Sequence, residues 1–110
     1  MSVINYSSNQ GKINKLVEAI ALWHHDRNLI EGSDSFAQLS KLKEEVAELE
    51  SSVGSATDPI DDIGDIMVVL INFCERYGIT VYEALEHAYN EIKDRTGRIN
   101  PETGMWDKDK

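Results

Sequence analysis

The chain has 110 residues and a formal charge of −9, from 20 acidic against 11 basic side chains, which leaves room for one domain with one modest core. No cationic surplus exists to neutralise a nucleic-acid backbone, so nucleic acid is excluded as the partner. The lone Cys74 excludes an intrachain disulfide and reads as a small buried hydrophobe; a polar Met1 to Gln10 and the lack of a membrane-length apolar run point to no signal peptide, no membrane partner and a cytoplasmic location.

Residues 1 to about 8 carry no periodicity and read as a loose or partner-bound terminus. A first helix is predicted from about Asn9 to Asn28, where Ile13, Leu16, Val17, Ile20 and Ala21 recur at helical spacing. Near its end, His24 and His25 read as a surface pair at the favourable pole of the helix dipole. Leu29 to Asp34, with Gly32 in it, is a connecting loop. Ser35-Phe-Ala-Gln38 has capping-box spacing, and Phe36, Leu39, Leu42, Val46 and Leu49 carry a second helix to about Ser52. Ser51 to Thr57, rich in Ser, Gly and Ala, then lets the chain reverse and lay the next helix antiparallel on this one.

Asp58 followed by Pro59 starts the third helix, an acceptor at the cap before a residue whose missing N–H costs nothing in the first turn. From Ile66 to Cys74 this helix is apolar nearly all round, more than one partner helix would cover. Completion by other subunits, as a homodimer or homotetramer, is the expectation. Gly78 ends it as a left-handed cap, and Thr80-Val-Tyr-Glu83 opens a fourth helix to about Arg95 with Val81, Leu85, Ala88 and Ile92 inward. The tail, residues 99–110, holds turn formers and an exposed-looking Trp106, and reads as an arm that folds over the site or packs on a neighbouring subunit. The expected fold is all-α: an antiparallel bundle of about four helices in a single domain, 1–110.

The acids are concentrated where the second and third helices face each other. Glu44, Glu45 and Glu48 share one flank of the second helix, and Asp62 and Asp65 share one flank of the third. Five like charges on one seam repel, so a cation belongs there, and oxygen-only ligands favour Mg²⁺, with Mn²⁺ as a possible substitute, over zinc. A solvated face paired to Lys41 and Lys43 is the alternative for the first cluster. The second is harder to dismiss, because its acids sit among Ile60, Ile63, Ile66 and Met67. Asp58 and Asp61 gain from the helix dipole, whereas Asp65 lies beyond the first turn and gets little of that help.

Glu-Glu-x-x-Glu, a spacer, and an acid-x-x-Asp in an apolar helix resemble the MazG-like, all-α nucleoside triphosphate pyrophosphohydrolases. The likeness runs from about Leu16 to Arg98 and includes Gln38 to Leu49 and Asp62 to Leu70, with Asp62 standing where the family usually has Glu. It implies a metal set of Glu45, Glu48, Asp62 and Asp65, and hydrolysis of an NTP or dNTP to the monophosphate and pyrophosphate. Glu44 is then the candidate to hold or deprotonate the attacking water. Asn90, Lys93 and Arg98 are candidates to hold the triphosphate, with Gln38 and Lys41 in second rank, and Trp23 is a stacking wall for the base unless it is a core residue.

Relatives of the same superfamily, dUTPase-like or phosphoribosyl-ATP pyrophosphatase-like, share the motif logic. A non-catalytic helical oligomerisation module is the rival outside enzymology. A di-iron carboxylate bundle does not suit, since Glu83 and Glu86 stand four residues and one residue from His87 instead of three.

Overall fold

The computed structural model describes residues 3–109. Met1 and Ser2, part of the expected loose start, and Lys110, the end of the expected arm, lie outside the described residues. The fold is all-α with four helices, as expected, and it adds one short β-hairpin. Two compact units divide the chain, Met1–Ile79 and Thr80–Lys110. No helix among the described residues is long and apolar enough to cross a membrane.

In the first unit, α1 (Lys12–Asp26) follows a single turn of 3-10 helix, Ser7–Asn9. The α2 helix (Ser35–Ser55) is capped one residue earlier than predicted: Asp34 Oδ1 accepts the Ala37 N–H at 2.8 Å. Asp34 wins because its backbone is extended, with φ −133° and ψ 173°, as a helix cap requires. Ser35 is thereby freed, and its hydroxyl pairs with the Tyr77 hydroxyl at 2.6 Å. Gln38 does not close a capping box either; its amide donates to Ser33 Oγ at 3.1 Å.

The reversal is also shorter than predicted, because α2 continues through Gly54 to Ser55. Ser55 bonds back to the Ser51 carbonyl at 3.0 Å, and a left-handed Ala56 lets Thr57 N–H reach the Ser52 carbonyl at 2.9 Å. The start of α3 (Ile60–Tyr77) falls one residue later than predicted: Pro59, not Asp58, is its cap, with the Pro59 carbonyl accepting the Ile63 N–H at 2.9 Å. Asp58 Oδ1 accepts the Ile60 N–H at 3.0 Å from just outside the cap. Gly78, at φ +67°, ends α3 as expected, with Ile79 N–H on the Cys74 carbonyl at 2.9 Å. The two helices run antiparallel, joined by the Ser52 hydroxyl donating to Asp62 near the turn and by Ser35 and Tyr77 at the far end.

The apolar core is thin. Among the described residues only Val69 and Ile71 are buried hydrophobes, and His24, Gln38, Glu45 and Asn72 are buried with them. His24 therefore does not form a surface pair with His25: it is 2 % exposed and ties α1 to α3. Its Nε2–H donates to the Val68 carbonyl at 2.8 Å, while its Nδ1 accepts from the Asn72 amide at 3.2 Å. Cys74 is half-buried instead of fully enclosed, and that burial pushes its thiol pKa up. Ile63, Met67 and Leu70 of α3 are exposed.

In the second unit Thr80 and Glu83 form the expected capping box at the start of α4 (Val81–Ile92). This helix ends short of Arg95, and no residue of it is buried; Leu85 and Ile92, expected inward, are exposed. Helical spacing marks a stripe suited to burial, and one chain does not bury it. The expected arm contains structure: β1 (Gly97–Ile99) pairs antiparallel with β2 (Trp106–Lys108). Gly97 is required there, since a Cβ would stand 2.4 Å from the Asp107 carbonyl oxygen and 2.7 Å from the Trp106 ring.

Candidate metal centre

The α2–α3 hairpin brings three carboxylates together. One oxygen from each of Glu45, Glu48 and Asp65 lies within 4.8 Å of the others. Helical spacing puts the two glutamates on the face of α2 that meets α3, and Asp65, just past the first turn of α3, stands opposite them. Glu45 differs from the other two: it is 5 % exposed, and its Oε2 is buried with no hydrogen-bond partner among the described residues. A buried carboxylate oxygen without a donor is costly unless a cation supplies the missing interaction.

The electrostatics agree. The charge of Glu45, and then contact with its carboxylate, hold the Glu48 carboxyl above its ordinary pKa, and Asp62 adds to the push. Among the described residues Lys41 is the cation paired here, with Nζ 3.0 Å from Glu45 Oε1 and 3.6 Å from Glu44 Oε2. Glu45 accordingly raises the Lys41 pKa, chiefly through their hydrogen bond. All-oxygen donors, one of them orphaned, fit a hard divalent ion such as Mg²⁺ better than a thiophilic one.

The other sequence candidates fall into three places. Asp62 accepts the Ser52 hydroxyl and stands outside the trio, close enough to act on the charge of Glu48. Glu44 is exposed and faces Lys41. Trp23, Gln38 and Lys41 line, with Glu45 and Asp65, a cleft of about 510 Å³. Trp23 is 42 % exposed, and Arg27 lies over its ring at 4.6 Å from the centroid. Asn90 lies on α4, Lys93 caps its C-terminal end and Arg98 lies on β1; all three are exposed parts of the second unit.

Sequence reasoning missed the residues that hold the back of the cleft. Arg76 donates to the carbonyls of Leu29 at 2.8 Å, Ile30 at 2.9 Å and Ser33 at 3.0 Å, pinning the α1–α2 loop to α3. Asn72, fully buried, donates to the Leu29 carbonyl at 3.1 Å. On the outside, His25 is bracketed by Glu31 at 3.2 Å and Glu75 at 2.9 Å. An Asn and an Arg one turn apart in an apolar helix were the available signal.

No protein-family model matches the chain, and no solved structure matches it. Among curated proteins it is similar to an uncharacterized 18.2 kDa protein in the rep-hol intergenic region of Haemophilus phage HP1 (strain HP1c1), at 39 % identity over 61 residues. The match takes in 54 % of this chain and 37 % of the phage protein, so the chain spans well under half of that relative.

Proposed function

We propose that this chain is a Mg²⁺-dependent nucleoside triphosphate pyrophosphohydrolase of the MazG-like kind, converting an NTP or dNTP to the monophosphate and pyrophosphate. One observation carries the reading: a buried Glu45 whose Oε2 has no hydrogen-bond partner among the described residues, in a trio of carboxylates two of which, Glu45 and Asp65, line a cleft. Glu45, Glu48 and Asp65 would hold the ion, with Asp62 beside them as a further ligand. When bound, Mg²⁺ supplies positive charge to phosphate oxygens and to the leaving pyrophosphate. The chain supplies the rest. Glu44, exposed on α2, would hold water or take its proton as the link between the α and β phosphates breaks. Trp23 offers a flat wall for a base, and Lys41 a charge for phosphate.

The exposed apolar residues of α3 support a homo-oligomer, dimer or tetramer, as the working form. They equally suit the second reading, a non-catalytic oligomerisation module, and one experiment separates the two. The chain is incubated with each canonical and modified NTP and dNTP plus Mg²⁺, and monophosphate with pyrophosphate is resolved from diphosphate with phosphate. Release of pyrophosphate that is lost in Glu48→Gln and Asp65→Asn supports the enzyme. Inertness toward every triphosphate, with no saturable Mg²⁺ binding, supports the module. The same panel separates dUTPase-like and phosphoribosyl-ATP pyrophosphatase-like preferences.

A further inference from the structure

Lys41 and Glu45 form an unequal pair. The carboxylate side chain is 6 % exposed and the lysine side chain 53 %, with 3.0 Å between Nζ and Oε1. One partner is fixed in the core while the other reaches it from solvent on a flexible four-carbon stem. Among the described residues the only other anion the lysine touches, Glu44, is itself 69 % exposed and lies at 3.6 Å, a weak competing hold. Both Lys41 and Glu45 line the cleft that also contains Asp65.

We propose that Lys41 is a displaceable counter-ion: its ammonium neutralises Glu45 in the metal-free chain, and on metal entry it swings to the triphosphate. This rests on the metal-dependent reading above and extends it. A divalent ion among Glu45, Glu48 and Asp65 repels an ammonium 3.0 Å from one of those carboxylates and removes the reason for it to stay. The phosphates of a bound nucleotide then offer the strongest nearby negative charge. Two consequences follow by linkage. Lys41 competes with the metal when nucleotide is absent, and nucleotide, by drawing Lys41 away, tightens metal binding, as metal tightens nucleotide binding.

The test is calorimetric titration of the full chain with Mg²⁺ alone, and again in the presence of a triphosphate whose α–β bridge resists hydrolysis. Wild type, Lys41→Met and Lys41→Arg are compared, with circular dichroism as the check on folding and Lys41→Gln in place of the Met variant should that one not fold. Loss of the lysine charge should tighten Mg²⁺ alone by about three- to fivefold, the equivalent of a partly exposed charge pair. It should also weaken the nucleotide and reduce the mutual tightening to the part that metal and phosphate supply directly. Lys41→Arg, which keeps the charge, should bind Mg²⁺ no more tightly than wild type. Unchanged or weaker Mg²⁺ binding by Lys41→Met, with wild-type binding intact, overturns the proposal and makes Lys41 a fixed prop for Glu45. Equal tightening in the Arg variant overturns it too. A wild-type chain that binds no Mg²⁺ overturns the metal-dependent reading itself, and this inference with it.

Discussion

The ring of His24 donates its Nε2 hydrogen to the carbonyl of Val68 across 2.8 Å, three residues beyond Asp65 on the same helix. This bond, with Asn72 on the other ring nitrogen, is the polar bolt between α1 and α3. His24→Ala should destabilise the chain by about 2–4 kcal/mol, since it opens a cavity and leaves one of the two buried amide hydrogens of Asn72 unpaired, the other staying on the Leu29 carbonyl. Urea unfolding of His24→Ala, Asn72→Ala and the double variant should show strong non-additivity. Simple addition of the two losses would mean that the residues act separately.

Arg76 is expected to be irreplaceable by lysine. One guanidinium reaches three carbonyls of the α1–α2 loop, a fork that a single ammonium cannot reproduce. Both Arg76→Lys and Arg76→Ala should therefore raise amide hydrogen exchange in residues 29–33, with a loss of about 1–3 kcal/mol for each buried group left unpaired. Protection in that loop equal to wild type would show that it holds itself.

Glu48 should behave in opposite ways with and without metal. In chelator, Glu48→Gln removes a like charge crowded by Glu45, so its Tm should rise above wild type. With millimolar Mg²⁺ the order should reverse, because wild type gains binding free energy that the variant lacks. Parallel melts in both conditions are the check, and a variant less stable than wild type in chelator contradicts the crowding.

His25 gives the chain a stability step that is lost above the ordinary imidazole range. Its hydrogen bond to Glu75, helped by Glu31 and opposed by desolvation, raises its pKa above the ordinary 6.5. A raised folded-state pKa means that the native state holds the proton more tightly. The stabilisation is fully present below about 6.5 and is lost as pH rises through the higher folded value. His25→Gln should flatten Tm against pH across that window and leave the profile unchanged well above it. A wild-type profile already flat there would remove His25 from the account.

Gly97→Ala should unpair the β-hairpin, because the added methyl meets the Asp107 carbonyl and the Trp106 ring. Trp106 fluorescence should shift toward that of free indole in water, and helical content should hold. An unchanged Trp106 signal would show that the strands part to admit the methyl.

What could be read from the sequence was local. Gly78 and the Thr80–Glu83 box act through neighbours a few residues away and shape helix ends as expected, whereas the cap expected at Asp58 falls one residue later, at Pro59. The cap of α2 moved by one residue because Asp34 and Ser35 are both competent acceptors and only the backbone decides between them. The grouping of Glu45, Glu48 and Asp65 followed from helical spacing plus one reversal. The burial of His24 did not, because it depends on Val68 and Asn72, more than forty residues along the chain. The hairpin was equally hidden: strands of three residues are too short to alternate, and their register turns on one glycine fitting beneath an indole.

Glu45 and Asp65 belong to neighbouring helices joined by one tight reversal, so their meeting is a low-contact-order event. Such a hairpin closes at little entropic cost, and closing it gathers the negative charges. On the metal-dependent proposal, a divalent cation should speed the closing of this hairpin as well as steady it once closed.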